Sequence, residues 1–525
     1  VAISREAVRE FLGRDFDDWR WIKKVPRADL EAEVAALRVR PAFRTRPWDH
    51  QLACFLIGLS APEMLYLLDM GAGKTKIIAD LFTQRLREGN ARRALVGVPR
   101  LINIDSWEED LDRHSDLHSL LVNCEDIEEK RERLLNPGKA EIVVSDYQGL
   151  HWALSRKVKG KRGPKLERDD KLVRRAQKLY DFVAADEIHK LSNKDNLQHG
   201  IVNQLMSAAR YRYGATGTLF GRDVQALWAA FRLVDRGETF GPNLGIFRAA
   251  FFREEMNAWK GTTYVFDKTK DRALNRMIQH RSIRYEEAEI SDLPKRVHLK
   301  HVVDMSAEQR SHYDRALEGL INAGGQLAEL DAAWLRMRQI ASGYLAWKDG
   351  AGDHVVRFKD NPKLDWLESK IDEMGDSKVV VCHDYTETGA MICERLKARG
   401  IGHARYYGGT RDKSATRRRF LDDPACRVLV MNSESGGTGN DGLQRVARYM
   451  IFYETPTPPI TRKQTEKRIH RPGQERRSFI WDVIADRSLD AGILAQIREG
   501  VDIHSRVVNG RPPSKKFFLT DAPRD

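Results

Sequence analysis

Short apolar runs of strand length alternate with helical-period segments over most of this chain, and they do so in two separate blocks. LVGVP (95–99), EIVVSDY (141–147), DFVAADE (181–187), KVVVCHD (378–384), CRVLVMN (426–432) and ARYMIFYE (447–454) read as buried strands. The amphipathic stretches between them are long enough for crossover helices. This alternation predicts an α/β fold with parallel sheets, one block spanning about 45–235 and the other about 362–497. Between the blocks the sequence turns helix-rich, charged and tryptophan-containing, as in LWAAFRLVDRG and DAAWLRMRQIASGYLAW. Residues 1–40 read as helical, with Pro26 and Pro41 as punctuation, and the tail 501–525 as polar and frayed. Two α/β blocks in one chain suggest two lobes facing a cleft.

Charge narrows the partner. Lys and Arg number 89 against 76 Asp and Glu, a net charge of +13. That excess favours a polyanion, nucleic acid before membrane. No stretch approaches the roughly 18 uninterrupted apolar residues of a spanning helix, and the most apolar region, 52–70, is broken by Pro62 and Glu63. The opening VAISREAVREFL has acidic residues early and no apolar core, unlike a secretory signal. Cys54, Cys124, Cys382, Cys393 and Cys426 are scattered, without CxxC spacing. A reduced, cytoplasmic protein without structural zinc is expected.

Three segments carry chemistry. YLLDMGAGKTK (66–76) reads as a strand, a glycine-rich turn and a helix start. Backbone N–H groups around Gly71 and Gly73 can cradle a β-phosphate, and the helix N-terminus adds positive potential. Lys74 would reach the β- and γ-phosphates, and the Thr75 hydroxyl would ligate Mg²⁺. Leu68 stands where the general phosphate-loop pattern has its first glycine, so the match is to the short GxGKT form. In DFVAADEIHK (181–190), Asp186 at the strand tip suits a contact to Mg²⁺, and Glu187 suits the base that orients or deprotonates the attacking water. His189 can couple this site to the neighbouring lobe. In QTEKRIHRPGQ (464–474), Arg468 and Arg471 fall at i and i+3, on one face of a helix. Guanidinium groups from a second lobe could neutralise charge on a transferred phosphoryl. Together the three segments point to nucleotide hydrolysis.

With these segments in view, residues 44–485 resemble superfamily 2 helicases of the Snf-type, chromatin-remodeller-like branch. TRPWDHQ (45–51) resembles the adenine-reading Q motif, with Gln51 as the base contact. MGAGKT resembles motif I, and DEIH resembles motif II of the DExH type. VGVPRLINIDSW (96–107) is similar to motif Ia, VVSDYQ (143–148) to motif Ib and YGATGTLFG (213–221) to motif III, where Thr216 and Thr218 would link hydrolysis to nucleic acid. In the second block VVVCHDYTET (379–388) resembles motif IV, YYGGTRDKSATRRRF (406–420) a DNA-contacting segment and SESGGTGNDGLQ (433–444) motif V. The arginine segment resembles motif VI, with Gln464 at the nucleotide. ISDLPKRVHLKHVVDMSAEQRSHYDRAL (290–317) resembles the lobe-joining segment of Snf-type enzymes. Three departures stand out: GAGKT for the usual GLGKT, Leu219 in motif III where proline is common, and Asp441 in motif V. None removes a catalytic group.

The resemblance implies two RecA-like parallel-sheet lobes, 41–235 and 361–500, with a helical insertion and joining segment at 236–360. It implies ATP as substrate, Mg²⁺ as cofactor and duplex DNA as partner, in a compact phage or bacterial monomer. Pro99, Arg100, Ser145, Tyr147 and residues 408–410, Thr410 among them, would touch the nucleic-acid backbone, with Arg417, Arg418 and Arg419 adding charge. The basic run KVKGKRGPK (157–165), with Lys157, Lys159, Lys161 and Arg162, reads as a flexible loop that grips phosphate. A translocase on duplex DNA is the leading expectation. A strand-separating DNA or RNA helicase, a non-hydrolysing clamp and a motor subunit of a recombination, replication or defence complex are the alternatives. No hairpin wedge is visible in the second lobe, where motif V runs into motif VI through the proline-rich ETPTPPITRKQ.

Overall fold

The computed structural model describes residues 10–14, 17–69, 71–99, 101–160, 163–217, 224–256, 262–290, 293–322, 327–350, 352–434, 442–471, 473–498, 517 and 519–520. The chain forms two compact units, Val1–Ser291 and Asp292–Asp525. In the first, strands β1 (Glu63–Leu68), β2 (Ala94–Val98), β3 (Ser119–Val122), β4 (Ile142–Asp146), β7 (Phe182–Asp186), β8 (Tyr211–Thr216) and β11 (Ser282–Tyr285) build one sheet. Its order is β11-β1-β8-β7-β2-β4-β3, and every neighbouring pair is parallel. In this unit β5 (Ser155–Gly160) pairs antiparallel with β6 (Gly163–Arg168), and β9 (Phe252–Met256) with β10 (Thr262–Phe266).

The second unit holds a six-stranded parallel sheet ordered β12-β19-β18-β15-β17-β16. Its strands are β12 (Arg296–Val303), β15 (Lys378–His383), β16 (His403–Tyr406), β17 (Val428–Asn432), β18 (Ala447–Phe452) and β19 (Ser478–Ala485). A separate antiparallel pair, β13 (Tyr344–Asp349) and β14 (Gly352–Arg357), completes it.

The apolar runs are continuous because each strand feeds two cores. On β1, Leu65 and Leu67 join one cluster, while Met64, Tyr66 and Leu68 join the other. The period of two sends alternate side chains to opposite faces, and helices cover both. On β15, Val379 and Val381 pack on one side, and Val380 and Cys382 on the other.

Two expectations are corrected. Segment 236–360 is not one helical insertion: β11 closes an edge of the first sheet and β12 an edge of the second. On β12, Arg296, His298 and Lys300 alternate with Val297 and Leu299, so one face of the strand is polar and there is no apolar run. Segment 157–165 is not a loop but most of the β5–β6 hairpin, whose Lys161 and Arg162 lie outside the described residues. A hairpin, β13–β14, does stand in the second unit, but at 344–357, before the 361–500 bounds within which none was expected. Its second strand opens on Gly352 at φ 131°, a conformation glycine allows.

One buried ion pair docks the motif VI segment. Arg462, on the helix Pro459–Glu466, donates to both Asp482 oxygens and, at 2.6 Å, to Glu466, with its guanidinium 3.6 Å from the Phe452 ring centre. Removing one member of such a pair strands a buried charge. Asp482→Ala is expected to lower the stability of this unit by roughly 3–5 kcal/mol, read as a shifted urea midpoint. Arg395→Ala, which breaks more exposed pairs to Asp365 and Glu368, should cost about 1 kcal/mol or less.

Candidate active site

β1 ends at Leu68 and the helix Lys74–Arg87 starts six residues later. Between them Gly71 and Gly73 hold φ of 83° and 75°, the left-handed region that favours glycine. A Cβ on Gly73 would lie 2.1 Å from the Gln51 amide nitrogen. The loop is therefore pressed against the helix Asp49–Ser60, leaving no room for a side chain. Two neighbours on that helix fix it: His50 Nε2 donates to the Ala72 carbonyl at 2.8 Å and Gln51 Nε2 at 3.2 Å. Gln51 Oε1 accepts from Trp48 N at 2.9 Å. Gln51, expected at the base, is seen bracing the phosphate loop. Burial lowers the pKa of His50, which suits a neutral ring donating one N–H. The sequence reading missed His50, whose only signal was its place beside Gln51.

Lys74 projects from the first turn of its helix. Its Nζ donates to the Leu68 carbonyl at 3.3 Å and stands 3.6 Å from Glu187 Oε1. Glu187 follows β7 with φ 46°, a left-handed kink that turns its carboxylate away from the strand. Its Oε2 accepts from the Thr216 hydroxyl at 2.9 Å and lies 3.2 Å from His189 Nδ1, which itself meets Thr216 Oγ1 at 2.8 Å. Burial opposes the Glu187 charge, but Lys74, His189 and Thr216 outweigh it and hold the carboxyl well below the usual range. Asp186 goes the other way, raised by burial and then by the Glu187 charge. Its Oδ2 accepts from the Trp107 indole at 3.0 Å, its Oδ1 from Glu187 N at 2.9 Å, and its carbonyl from the Tyr147 hydroxyl at 2.6 Å.

Two carboxylates against one ammonium leave this corner short of positive charge. A magnesium ion takes hard oxygen ligands, usually one or two carboxylates with substrate phosphates. Asp186 and the Thr75 hydroxyl, in the first turn of the same helix as Lys74, supply that kind of donor set.

Other expected residues fare differently. Ser145 is fully buried within β4 and Tyr147 is 3% exposed. Neither can touch nucleic acid with its side chain, because β4 is an interior strand and the Tyr147 ring fills the space above Gly97. Arg100, Lys161, Arg162, Thr218, Leu219 and Asp441 lie outside the described residues. Lys157 and Lys159 are exposed on β5. Thr410 is half-buried: its hydroxyl accepts from Tyr407 N at 3.0 Å and donates to the Arg405 carbonyl. Arg417 is half-buried and Arg418 and Arg419 exposed on the helix Lys413–Asp422.

Gln464 is half-buried on the helix Pro459–Glu466, but Arg468 and Arg471 do not share its face. The helix stops before both. Arg468 is buried in a following turn, closed by its N–H to the Thr465 carbonyl at 3.0 Å, and Arg471 is half-buried beyond it. Residue 472 is proline, which disfavours helical geometry at Arg471.

A phosphate loop, a strand-tip acid and a second carboxylate on the loop's lysine, all on one parallel sheet, define a nucleoside-triphosphate-hydrolysing class. The SNF2-related domain family matches residues 50–345, more than half the chain, and the protein belongs to it. It is an ATP-hydrolysing enzyme of that family. It is 21% identical over 497 residues to the uncharacterized ATP-dependent helicase YqhH of Bacillus subtilis, covering 89% of this chain and 80% of that one. It is 26% identical over 442 residues to a probable global transactivator of Orgyia pseudotsugata multicapsid polyhedrosis virus, covering 80% and 81%. Among solved structures, the Sulfolobus solfataricus SWI2/SNF2 ATPase core in complex with dsDNA aligns at 19% identity and a TM-score of 0.39, over 93% of this chain and all of that one. No described helix is long and apolar enough to cross a membrane.

Two tests follow from the geometry. Lys74→Ala is expected to abolish turnover and weaken nucleotide binding, whereas Glu187→Gln should keep binding and stop hydrolysis; equilibrium binding beside steady-state turnover separates the two. Tyr147→Phe deletes only the hydroxyl on Asp186. It should lower kcat by about tenfold, the factor carried by roughly 1.4 kcal/mol, and leave DNA affinity unchanged.

Proposed function

We propose that this enzyme is an ATP-driven motor that moves along duplex DNA without separating its strands. The observation that carries the motor reading is the joined network of Lys74, Glu187, Thr216 and His189, which links motif I, motif II and motif III through side chains. A chain kept only as a clamp has no need of an ionised, oriented carboxylate. Relatives named for DNA repair and recombination and for chromatin remodelling support DNA as the partner, although the chain covers only 21% and 40% of those proteins' lengths.

In this reading the N–H groups of 71–75 and Lys74 hold the β- and γ-phosphates. Asp186 and Thr75 would hold Mg²⁺, which would neutralise charge on the phosphates. Glu187 orients the attacking water and takes its proton as the oxygen–phosphorus bond forms and the bond to the β-phosphate breaks. Arg468 and Arg471 supply positive charge to the same γ-phosphoryl. Arg471, half-buried, is better suited to reach a ligand than buried Arg468. Gln51 serves the base side while bracing the loop. Lys157, Lys159, Thr410 and Arg417, with Arg100, Lys161 and Arg162, bear on the DNA backbone.

One observation favours strand separation instead. The β13–β14 hairpin exposes Trp347, Val355 and Val356, and Trp347 stacks on His354 with ring centres 5.0 Å apart. An aromatic residue on a hairpin is a platform on which an unpaired base can stack. Displacement of a third strand from a triplex reports translocation, and release of one strand from a forked duplex reports unwinding. ATP-dependent triplex displacement with little fork unwinding is the expected result. Efficient fork unwinding that Trp347→Ala abolishes would establish the second reading.

A further inference from the structure

We propose that the outer face of the helix Asp170–Leu179 is a second nucleic-acid-binding surface that anchors the backbone of duplex DNA away from the catalytic edge of the first sheet. The inference rests on the reading of the enzyme as acting on duplex DNA.

Charge is concentrated here. Residues 155–178 contain eleven Lys and Arg against three Asp and Glu, so +8 of the chain's +13 lies in 24 residues. The three acids are already engaged. Glu167 pairs with Lys165 at 2.9 Å, Asp170 pairs with Arg168 at 2.7 Å, and Asp169 caps the helix by accepting from Lys171 N and Leu172 N. Lys171, Arg174, Arg175 and Lys178 remain exposed and have no ion pair among the described residues.

Their spacing of i, i+3, i+4 and i+7 places all four on one stripe, while Val173 and Ala176 bury the opposite face. These four and Gln177 line a single shallow groove. Arg175 is aimed from outside the helix, donating to the Leu135 carbonyl at 3.3 Å and to the Asn136 side chain. Like charges at i and i+4 destabilise a helix, and Lys171–Arg175 and Arg174–Lys178 are both such pairs. Other basic residues at the surface do find acids, as Arg395 does with Asp365 and Glu368, and Lys370 with Glu373. An unpaired stripe maintained at the helix's expense is what a phosphate backbone would compensate. The groove lining offers no apolar residue for insertion into lipid, which argues for nucleic acid over a membrane surface.

The surface is remote from hydrolysis. The helix feeds through Tyr180 into the N-terminal end of β7, and Asp186 stands at the other end. Four steps of about 3.3 Å from Phe182 to Asp186 put roughly 13 Å between the two ends.

The test is the full-length variant Lys171→Glu/Arg174→Glu/Lys178→Glu, with the milder Lys171→Gln/Arg174→Gln/Lys178→Gln beside it. Arg175 stays, because it also ties the helix to 135–136. Binding of duplexes of about 15 and about 60 base pairs is measured across a salt series, together with ATP turnover at saturating short duplex. The expected result is at least tenfold weaker long-duplex binding for the Glu variant and a smaller loss for the Gln variant. The salt slope should flatten by about 0.9 for each phosphate that the variant no longer neutralises, and short-duplex turnover should stay unchanged. Unaltered long-duplex affinity and slope would overturn the inference. A wild-type enzyme that no duplex stimulates would overturn the motor reading through the turnover measurement, while the binding comparison still decides the surface.

Discussion

The left-handed backbone of Glu187 is the constraint on which the site depends. A non-glycine residue at φ 46° costs roughly 1–2 kcal/mol, and such strain persists only where the surroundings over-determine it. Here they do. Glu187 N donates to the Asp186 carboxylate, and its side chain is gripped by Thr216 and faces Lys74. Without the kink two consecutive strand residues would point to opposite faces of the sheet. With it, both carboxylates serve the same edge. Their titrations are pushed apart as a result: Glu187 stays ionised and Asp186 is raised, the condition that a cation would relieve.

The phosphate loop is built on the complementary principle, freedom from side chains. Gly71 and Gly73 adopt conformations that β-carbons resist, and helix Asp49–Ser60 uses that space to place His50 and Gln51 on the Ala72 carbonyl. Two donors on one carbonyl fix the peptide's orientation. The loop is thus set before any nucleotide arrives, which lowers the ordering cost of binding.

Six central strands were legible because burial on both faces writes itself as an uninterrupted apolar run: each of the six runs overlaps an interior strand of one of the two sheets, although the interior strands β8 and β19 were not among them. The edge strands β11 and β12 were not: β11 is only four residues with Arg284 exposed, and on β12 Arg296, His298 and Lys300 alternate with apolar residues and break the run. The β5–β6 hairpin was hidden by lysines and by the glycine and proline that punctuate it. It pairs only with itself, so no core demanded an apolar face. In the site, Lys74, Asp186 and Glu187 were readable from residue type and order. The burial of Ser145 and Tyr147 was not, because motif resemblance carries position along the chain and not the side of a strand. Arg468 and Arg471 were set on one helical face by spacing alone, and that spacing holds meaning only while the helix continues.

The burial of Tyr147 against Asp186 has a mechanical consequence. Asp186 is held by Trp107, from the helix after β2, and by Tyr147, which begins the helix after β4. Both helices start at the edge of the sheet where the strand-tip acids stand. Any ligand that shifts either helix start therefore pulls on Asp186 through a single hydrogen bond. Lys74 is tied differently, to the Leu68 carbonyl and the loop's own helix. Such a pull would reach the acid before the phosphate grip. Displacing a catalytic group by about 1 Å can cost about 10²-fold in rate, so coupling of this kind acts on kcat more than on nucleotide affinity.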